Sequence, residues 1–466
     1  MAERLLFVTG RLARPRLEKI LNGLGPTEFE WTIHDIGVKV AALMTEAILM
    51  RRLPRPLAAD RVVLPGRARV DLARLSEAFG IPFERGPDEL ADLPHHLGRA
   101  RTAPDLTRYR VRIFAEIVDA PGRTVDDLLI QAQDMREQGA DIIDIGCLPD
   151  TPFPHLEDVV RTLKAAGLAV SVDSADPDEL RRGAQAGADW LLSLNRGTLA
   201  IARETGAGAV LVPAKHGDLP SLYEAMEQAE KHGLTWIADP VLDPIHFGFT
   251  ASLERYAAVR RQHPQAPMLM GTGNLTELTD ADSGGVTAVL MGICSELAID
   301  NVLVVHVSDH TRRTIEEHDA ARRIMLAARE DESLPRDYSR MLLQLHDRKP
   351  FASSPAEIAE LAAQVRDANY RIEVSSDGIH IYNAGGHHVA QDAMSLFPKL
   401  GIAADGAHAF YLGTELMKAE IAYRLGKRFA QDEPLNWGAA VDVLGEDKTR
   451  LAAAGHTLRA KQGSGD

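Results

Sequence analysis

Between about Arg110 and Arg329 the sequence alternates strand-like and helical runs eight times, and this regularity constrains the fold more than any other feature. The strand-like runs are Val111–Val118, Asp141–Ile145, Leu168–Val172, Trp190–Leu194, Ala209–Val212, Leu234–Ala238, Pro267–Met270 and Val302–His306. Helix start signals lie between them. Thr124-x-x-Asp127 is a capping box, and Asp176-Pro177-x-Glu179 orders an N-cap, an N1 proline and an N3 acid. Gly-Ala pairs at 139–140 and 187–188 close helices just before the next strand. Eight strands within about 220 residues suit a closed (β/α)8 barrel better than an open sheet.

The whole chain has 466 residues, which leaves material for flanking domains. Residues 1–104 open with a strand over Leu5–Thr9, followed by Gly10, a long helical stretch over Val38–Met50 and a short strand over Arg61–Leu64. That pattern predicts a small α/β domain. It carries neither GxGxxG nor GxxxxGKS after a strand, so no nucleotide fingerprint is present. Leu93–Thr107 reads as a linker and residues 105–332 as the barrel. Residues 350–466 predict an α+β domain: Arg371–Val374 and Ile379–Tyr382 flank the turn Ser376-Asp377-Gly378, and a long helix carries Ala409, Leu412, Leu416, Ala419, Ala422 and Leu425.

The net charge of −15 argues against a nucleic-acid partner, because a phosphate backbone needs a basic face. Local basic groups can still hold a small anion. No apolar run is long enough for a bilayer, and the N-terminal MAERLLFVTG lacks signal-peptide character. Two cysteines, Cys147 and Cys294, cannot cage a metal alone. Together these features predict a cytoplasmic protein.

A barrel places its chemistry just past the strand ends. Those positions hold Glu116 and Asp119, Asp144 and Asp150, Asp173 and Ser174, Asn195 and Arg196, Lys215 and His216, Asp239 and Asp243, Asn274 and Glu277, and His306 and Ser308. Any one of them is equally a helix cap or a solvated loop residue, but as a set they predict one polar mouth. The acidic loop Glu277, Asp280 and Asp282 offers oxygen ligands of the kind Mg2+ takes, with a solvated helix cap as the alternative. Cys147 and Cys294 read as core or packing residues, the His387-His388 pair as a turn with solvated rings, and Glu415, Lys418 and Glu420 as exposed helix charges.

The motifs in this order resemble dihydropteroate synthases. GADIIDIG (139–146), AVSVDS (169–174), LLSLN (191–195), IADP (237–240) and HVSD (306–309) are similar to the second, third, fourth, sixth and eighth strand ends of that family. The resemblance implies that Asp173, Asn195 and Asp239 bind a pterin, with Asp144 and Asn274 joining the substrate site and His306 near a diphosphate. Carboxylates and a carboxamide suit the pyrimidine edge of a pterin, which presents N–H donors and a ring nitrogen. The chain looks closest to the dihydropteroate-synthase-like proteins of archaea and methylotrophic bacteria linked to tetrahydromethanopterin synthesis. The strings carrying that likeness are VTGRLA (8–13), VVLPGRARVD (62–71), DLP (92–94), GTGNLTELTDADS (271–283) and AFYLGTELMKAEIAYRLGKRFAQDEPLNWG (409–438).

The departures concern charge. The synthases carry Ser-Arg-Lys after the seventh strand, whereas residues 271–285 contain no lysine or arginine, and Val304 stands where an arginine is expected. Lys215, with Arg196, Arg312 and Arg313, is the available replacement. The resemblance therefore implies a homodimeric transferase that condenses hydroxymethyl-dihydropterin diphosphate with an arylamine, a ribofuranosylaminobenzene phosphate in that setting, with Mg2+ as a candidate cofactor. Two alternatives stand beside it. AEIVDAPGR (115–123) is similar to the Glu-Ile of methyl-tetrahydropterin transferases, which gives Glu116 a catalytic role. The missing basic residues equally suit a non-catalytic pterin-binding scaffold.

Overall fold

In the computed structural model, which describes residues 2–88, 90–99, 104–347, 349–402 and 404–442, the chain divides into two compact units, Met1–Ser339 and Arg340–Asp466. The first unit holds a four-stranded parallel sheet of β1 (Glu3–Thr9), β2 (Phe29–Asp35), β3 (Arg61–Leu64) and β4 (Phe83–Arg85), in the order β2-β1-β3-β4. The helical stretch expected over Val38–Met50 is broken. Thr45 is extended and its side chain accepts from the Ile48 N–H, so the helix starts at Glu46 and runs to Arg52. Part of the expected linker is also helical, over Leu93–His96, with Pro94 in the first turn, while residues 100–103 lie outside the described residues.

Eight parallel strands follow: β5 (Arg112–Ile117), β6 (Ile142–Gly146), β7 (Ala169–Asp173), β8 (Trp190–Leu194), β9 (Gly208–Leu211), β10 (Trp236–Ala238), β11 (Leu269–Gly271) and β12 (Asn301–Val305). Each pairs with its sequence neighbour from β5 to β10, β12 joins β5 to β11, and a parallel bridge from Ala238 to Met268 closes the ring. The fold is a (β/α)8 barrel. Its helices begin where the sequence signals them: Thr124 accepts from the Asp127 N–H, and Asp176 accepts from Asp178 ahead of Pro177. Gly139 ends the preceding helix at φ 122°, a backbone geometry that favours glycine.

Strand periodicity then sorts the interior into layers. Phe114, Ile142, Ala169, Leu192, Val210, Ile237, Leu269 and Leu303 form the apolar packing inside the barrel. Two residues onward along five of these strands stand Glu116, Asp144, Ser171, Asp239 and Val305, on the same inward face one layer nearer the C-terminal end. The apolar layer thus floors a polar mouth.

The second unit contains an antiparallel sheet of β13 (Arg371–Ser375), β14 (Gly378–Asn383) and β15 (Gly386–Ala390), packed on the helix Gly406–Leu425 through Ile372, Ile379, Ile381, Leu412 and Leu416. Two sequence expectations are corrected here. His387 belongs to β15, and its ring nitrogen lies 2.9 Å from the buried His380 ring, because β15 pairs with β14 and turns both rings to one face. Glu415 and Glu420 are not solvated charges. Glu415, 3% exposed, accepts from the Asp432 N–H, and Glu420 accepts from the Ala393 N–H, so both satisfy backbone donors next to the helix. Among the described residues no helix is long and apolar enough to cross a membrane.

Candidate functional site

Glu116, Asp144 and Asp173 lie in the C-terminal halves of three adjacent strands, and their positions follow from strand register. Glu116 stands opposite Asp144, Asp144 opposite Ser171, and Gly146 opposite Asp173. Gly146 leaves space for the acid: a Cβ there would come within 2.8 Å of Glu116 Oε1. Glu116, Cys147, Asp173, Ser193, Asn195 and Thr198 line a cavity of about 400 Å3 at the C-terminal ends of the strands.

Among the described residues no cation pairs with Glu116, Asp144 or Asp173, and desolvation disfavours the charged forms of these buried acids. Burial pushes Glu116 up to about 7, with the neighbouring Asp173 adding to the shift. Burial raises Asp144 well above the usual carboxylate range, reinforced by Asp173 and Glu116. Its Oδ1 accepts from Ser171 Oγ at 2.6 Å, while its Oδ2 is buried with no protein partner. Asp173 is raised by burial, opposed by a hydrogen bond from the Ser193 hydroxyl. Asp239, immediately after β10, is raised by burial to about 6 although the Tyr256 hydroxyl and the Val241 N–H both donate to it at 2.8 Å. Asp173 contributes to that shift, so four carboxyls share one electrostatic environment.

Two backbone outliers hold these acids. Ser193 interrupts β8 at φ 62°, at a register irregularity between Leu191 and Leu194. Val241 sits at φ 67°, which is rare for a β-branched residue. Its N–H reaches Asp239, and its carbonyl accepts from Arg255 at 2.7 Å. Backbone strain of this kind clusters at binding and catalytic sites, and here it supports buried acids. Sequence reading missed Ser193, Val241, Ser171 and Tyr256. Nothing in a serine or a valine announces a positive φ, and Tyr256 reaches Asp239 from the helix Phe249–Gln262.

Asn195 lines the cavity, and its Oδ1 accepts from the Gly197 N–H at 2.8 Å, which orients the amide. Other expected site residues are placed elsewhere or used differently. Lys215 is exposed on the loop after β9 and is not part of the cavity lining. Asn274 donates to the Leu242 carbonyl at 2.6 Å, so its amide fixes the loop after β10. His306 follows β12 outside the cavity lining, with its Nδ1 buried and without a protein partner. The expected metal set is not assembled. Glu277 accepts from the Val307 N–H at 2.6 Å and the Ser308 N–H at 3.1 Å, which draws it onto the loop after β12. Asp280 and Asp282 do not join it, and among the described residues no three His, Cys, Asp or Glu side chains form a metal-holding group. These residues therefore do not fit a Mg2+ site. Burial and the nearby Glu179 push the Cys147 thiol far up, which disfavours the thiolate a nucleophile needs.

The replacement arginines are also engaged. Arg196 pairs with Glu224 at 2.8 Å, and Arg313 with Glu316 at 2.9 Å. One polar relay does reach the rim: Arg255 donates to buried Asp243, whose other oxygen lies 2.8 Å from the exposed His216 ring.

With this geometry in view, residues 120–233 match the family model described as pterin binding enzyme. The matched segment contains Asp144, Asp173, Ser193 and Asn195. Residues 3–88 match a family of unknown function, DUF6513. An uncharacterized protein of Methanocaldococcus jannaschii is 25% identical over 519 aligned positions, covering 92% of this chain and 98% of the relative. Among solved structures, dihydropteroate synthase from Xanthomonas albilineans in complex with 7,8-dihydropteroate is 22% identical with a TM-score of 0.37, covering 48% of this chain and 95% of that one. The dihydropteroate synthase of Thermus thermophilus is 22% identical with a TM-score of 0.36, covering 48% and 94%. The matched segment runs from the helix Val125–Gln138 through β9 of the barrel.

Proposed function

We propose that this protein binds a reduced pterin in the barrel mouth and joins its 6-methylene carbon to an arylamine with release of diphosphate. The observation that carries the reading is the group of buried carboxyls that no cation offsets among the described residues, beside Asn195 and within and next to a segment matching pterin-binding enzymes. A pterin supplies further N–H donors for the acceptor positions these acids leave open. Asp173 and Asp239 take the amino and ring N–H groups, Asn195 pairs with the ring edge, and Asp144 backs Asp173. Groups left stranded without such a partner would reject ligands that lack the donors.

In the reaction, the amine nitrogen attacks the methylene carbon, a C–N bond forms, and the C–O bond to diphosphate breaks with its electron pair leaving on the diphosphate oxygen. The nitrogen sheds one proton. Glu116, held near neutrality at about 7, is suited to accept it. Much of the acceleration comes from holding carbon and nitrogen in line. His306, with its unpartnered ring nitrogen, and the exposed Lys215 are the groups we assign to the departing anion. The amine we favour is the ribofuranosylaminobenzene phosphate of tetrahydromethanopterin synthesis, which rests on the family resemblance of the flanking segments.

The test is an assay of the full chain with hydroxymethyl-dihydropterin diphosphate, Mg2+ in the buffer, and either p-aminobenzoate or its ribofuranosyl phosphate counterpart. Diphosphate release with the ribosyl amine supports the whole reading, and release with p-aminobenzoate alone supports the chemistry but not the pathway. No release with either amine contradicts the synthase. Glu116 also favours a second reading, because a carboxyl still protonated near pH 7 can donate to N5 of a methylated pterin before methyl transfer. Demethylation of a methyl-tetrahydropterin in the presence of a thiol or corrinoid acceptor would select it.

A further inference from the structure

The amino-terminal sheet has a topological switch point. From β1 the chain crosses through the helix Arg14–Asn22 to β2 on one side, and then returns past β1 to β3 on the other. In open parallel sheets the crevice outside the carboxyl ends of the two strands that part in this way is where ligands bind. Here that place is a cavity of about 200 Å3, lined by the ends of β1 and β3 and by the segment after the last barrel helix.

Both loops at the switch point are built around a glycine. A Cβ on Gly10 would meet the Ala41 nitrogen at 2.8 Å, and one on Gly66 would meet the Pro87 carbonyl carbon at 2.5 Å. The close packing of these loops leaves the crevice between them. Each glycine is followed by basic residues: Arg11 in the first loop with Arg14 and Arg16 in the first turn of the helix after it, and Arg67 and Arg69 after Gly66, with no acid from 10 to 17 or from 65 to 70. In a chain of net charge −15 such a local reversal of sign is informative. Arg16 is already fixed in place. It donates to the Arg336 carbonyl at 2.9 Å and lies 4.8 Å over the Tyr338 ring. Thr9, only 2% exposed, lines the cavity, and its hydroxyl lies 3.5 Å from the Gly10 carbonyl, too far for a good hydrogen bond. It is a buried donor facing the crevice. The remaining wall is apolar, with Leu12, Val40 and Leu334 partly open to solvent, and Asp88 and Asp337 stand among the lining residues as acceptors.

We infer that this crevice binds a small organic anion: one apolar ring carrying a phosphate or a carboxylate, with a donor group for Asp88 or Asp337. The volume is below that of a dinucleotide site and suits a single ring. Arg16 and Arg67, the two of these arginines that line the cavity, take the anion, Thr9 donates to it, and the apolar wall covers the ring. Most of the lining lies in the segment 3–88 matched by a family of unknown function, and the inference is independent of the pterin reading.

Calorimetric titration of the full chain with phenyl phosphate, benzoate and neutral cyclohexanol tests it. Saturable one-to-one binding of either anion, at least tenfold weaker in Arg67→Glu and unchanged in the barrel variant Asp173→Asn, is the expected result. A tenfold preference for phenyl phosphate assigns a phosphate ligand, and the reverse preference a carboxylate. Ala42→Trp, which fills the crevice, should abolish binding of both. The inference is overturned if neither anion saturates, if cyclohexanol binds as well, or if Asp173→Asn loses binding while Arg67→Glu keeps it.

Discussion

The two ends of the barrel treat buried charge in opposite ways. At the N-terminal end, Arg322 is 1% exposed, yet every direction around it is satisfied. It pairs with Asp141 and Asp319, and donates to the Val111 and Gly139 carbonyls at 2.7 and 2.9 Å. Asp141 in turn accepts from the Ile113 N–H and the Tyr109 hydroxyl, both at 2.8 Å. Arg112 bonds Asn301 at 2.9 Å and stacks 5.3 Å over the Trp190 ring. At the C-terminal end, Glu116, Asp144 and Asp173 are buried beside one another with no cation. One end is closed by charges that complete each other. The other holds buried acids that no cation among the described residues offsets, and the proposed ligand site rests on this asymmetry more than on the polarity of either end.

Breaking the closed end should cost most. Arg322→Met strands Asp141, Asp319 and two carbonyls, and urea unfolding should show a loss of about 3–5 kcal/mol. A loss below about 1 kcal/mol would erase the contrast between the two ends.

The open end should respond in the other direction. The folded-state carboxyl of Glu116 is raised from 4.5 to about 7, so the native protein holds a proton that the unfolded chain releases. Its contribution to stability therefore declines as pH rises from about 4.5 to about 7. Glu116→Gln should flatten that slope and raise stability at pH 8 by about 1–3 kcal/mol. Melting curves between pH 4.5 and 8 check this, and a variant less stable than the parent at pH 8 would contradict it. The smallest effect belongs to Ser193→Gly. Glycine adopts φ 62° without strain, so stability should change by less than about 1 kcal/mol. Ligand affinity should fall, because Asp173 loses its hydroxyl donor. Unchanged affinity would remove Ser193 from the site.

Much of this arrangement was legible before folding. The alternation of strand and helix pointed to the barrel, and reading the carboxyl ends of the strand runs reached Glu116 and Asp144 inside them and Asp173, Asn195 and Asp239 one residue past them. Residues whose role depends on closure were not legible. Asn274 and Glu277 stand at a strand end like the others, but the loops after β10 and β12 claim their side chains. Ser193 and Val241 owe their importance to backbone angles that composition does not encode. In the flanking sheets, β15 carries too few apolar residues to stand out, and β2 alternates Phe29, Trp31 and Ile33 in a pattern that a search for apolar runs passes over.

The most direct test of the open mouth is calorimetric titration of the wild type and Asp173→Asn with 6-hydroxymethyl-7,8-dihydropterin. The account predicts one-site binding by the wild type with protons released to buffer, because pterin N–H groups stabilise the ionised acids. It also predicts affinity at least about a hundredfold weaker in Asp173→Asn, as expected for losing a charge-assisted pair in a buried site, with an undiminished melting temperature. Equal affinity in the two proteins, or no saturable binding by the wild type, would contradict it.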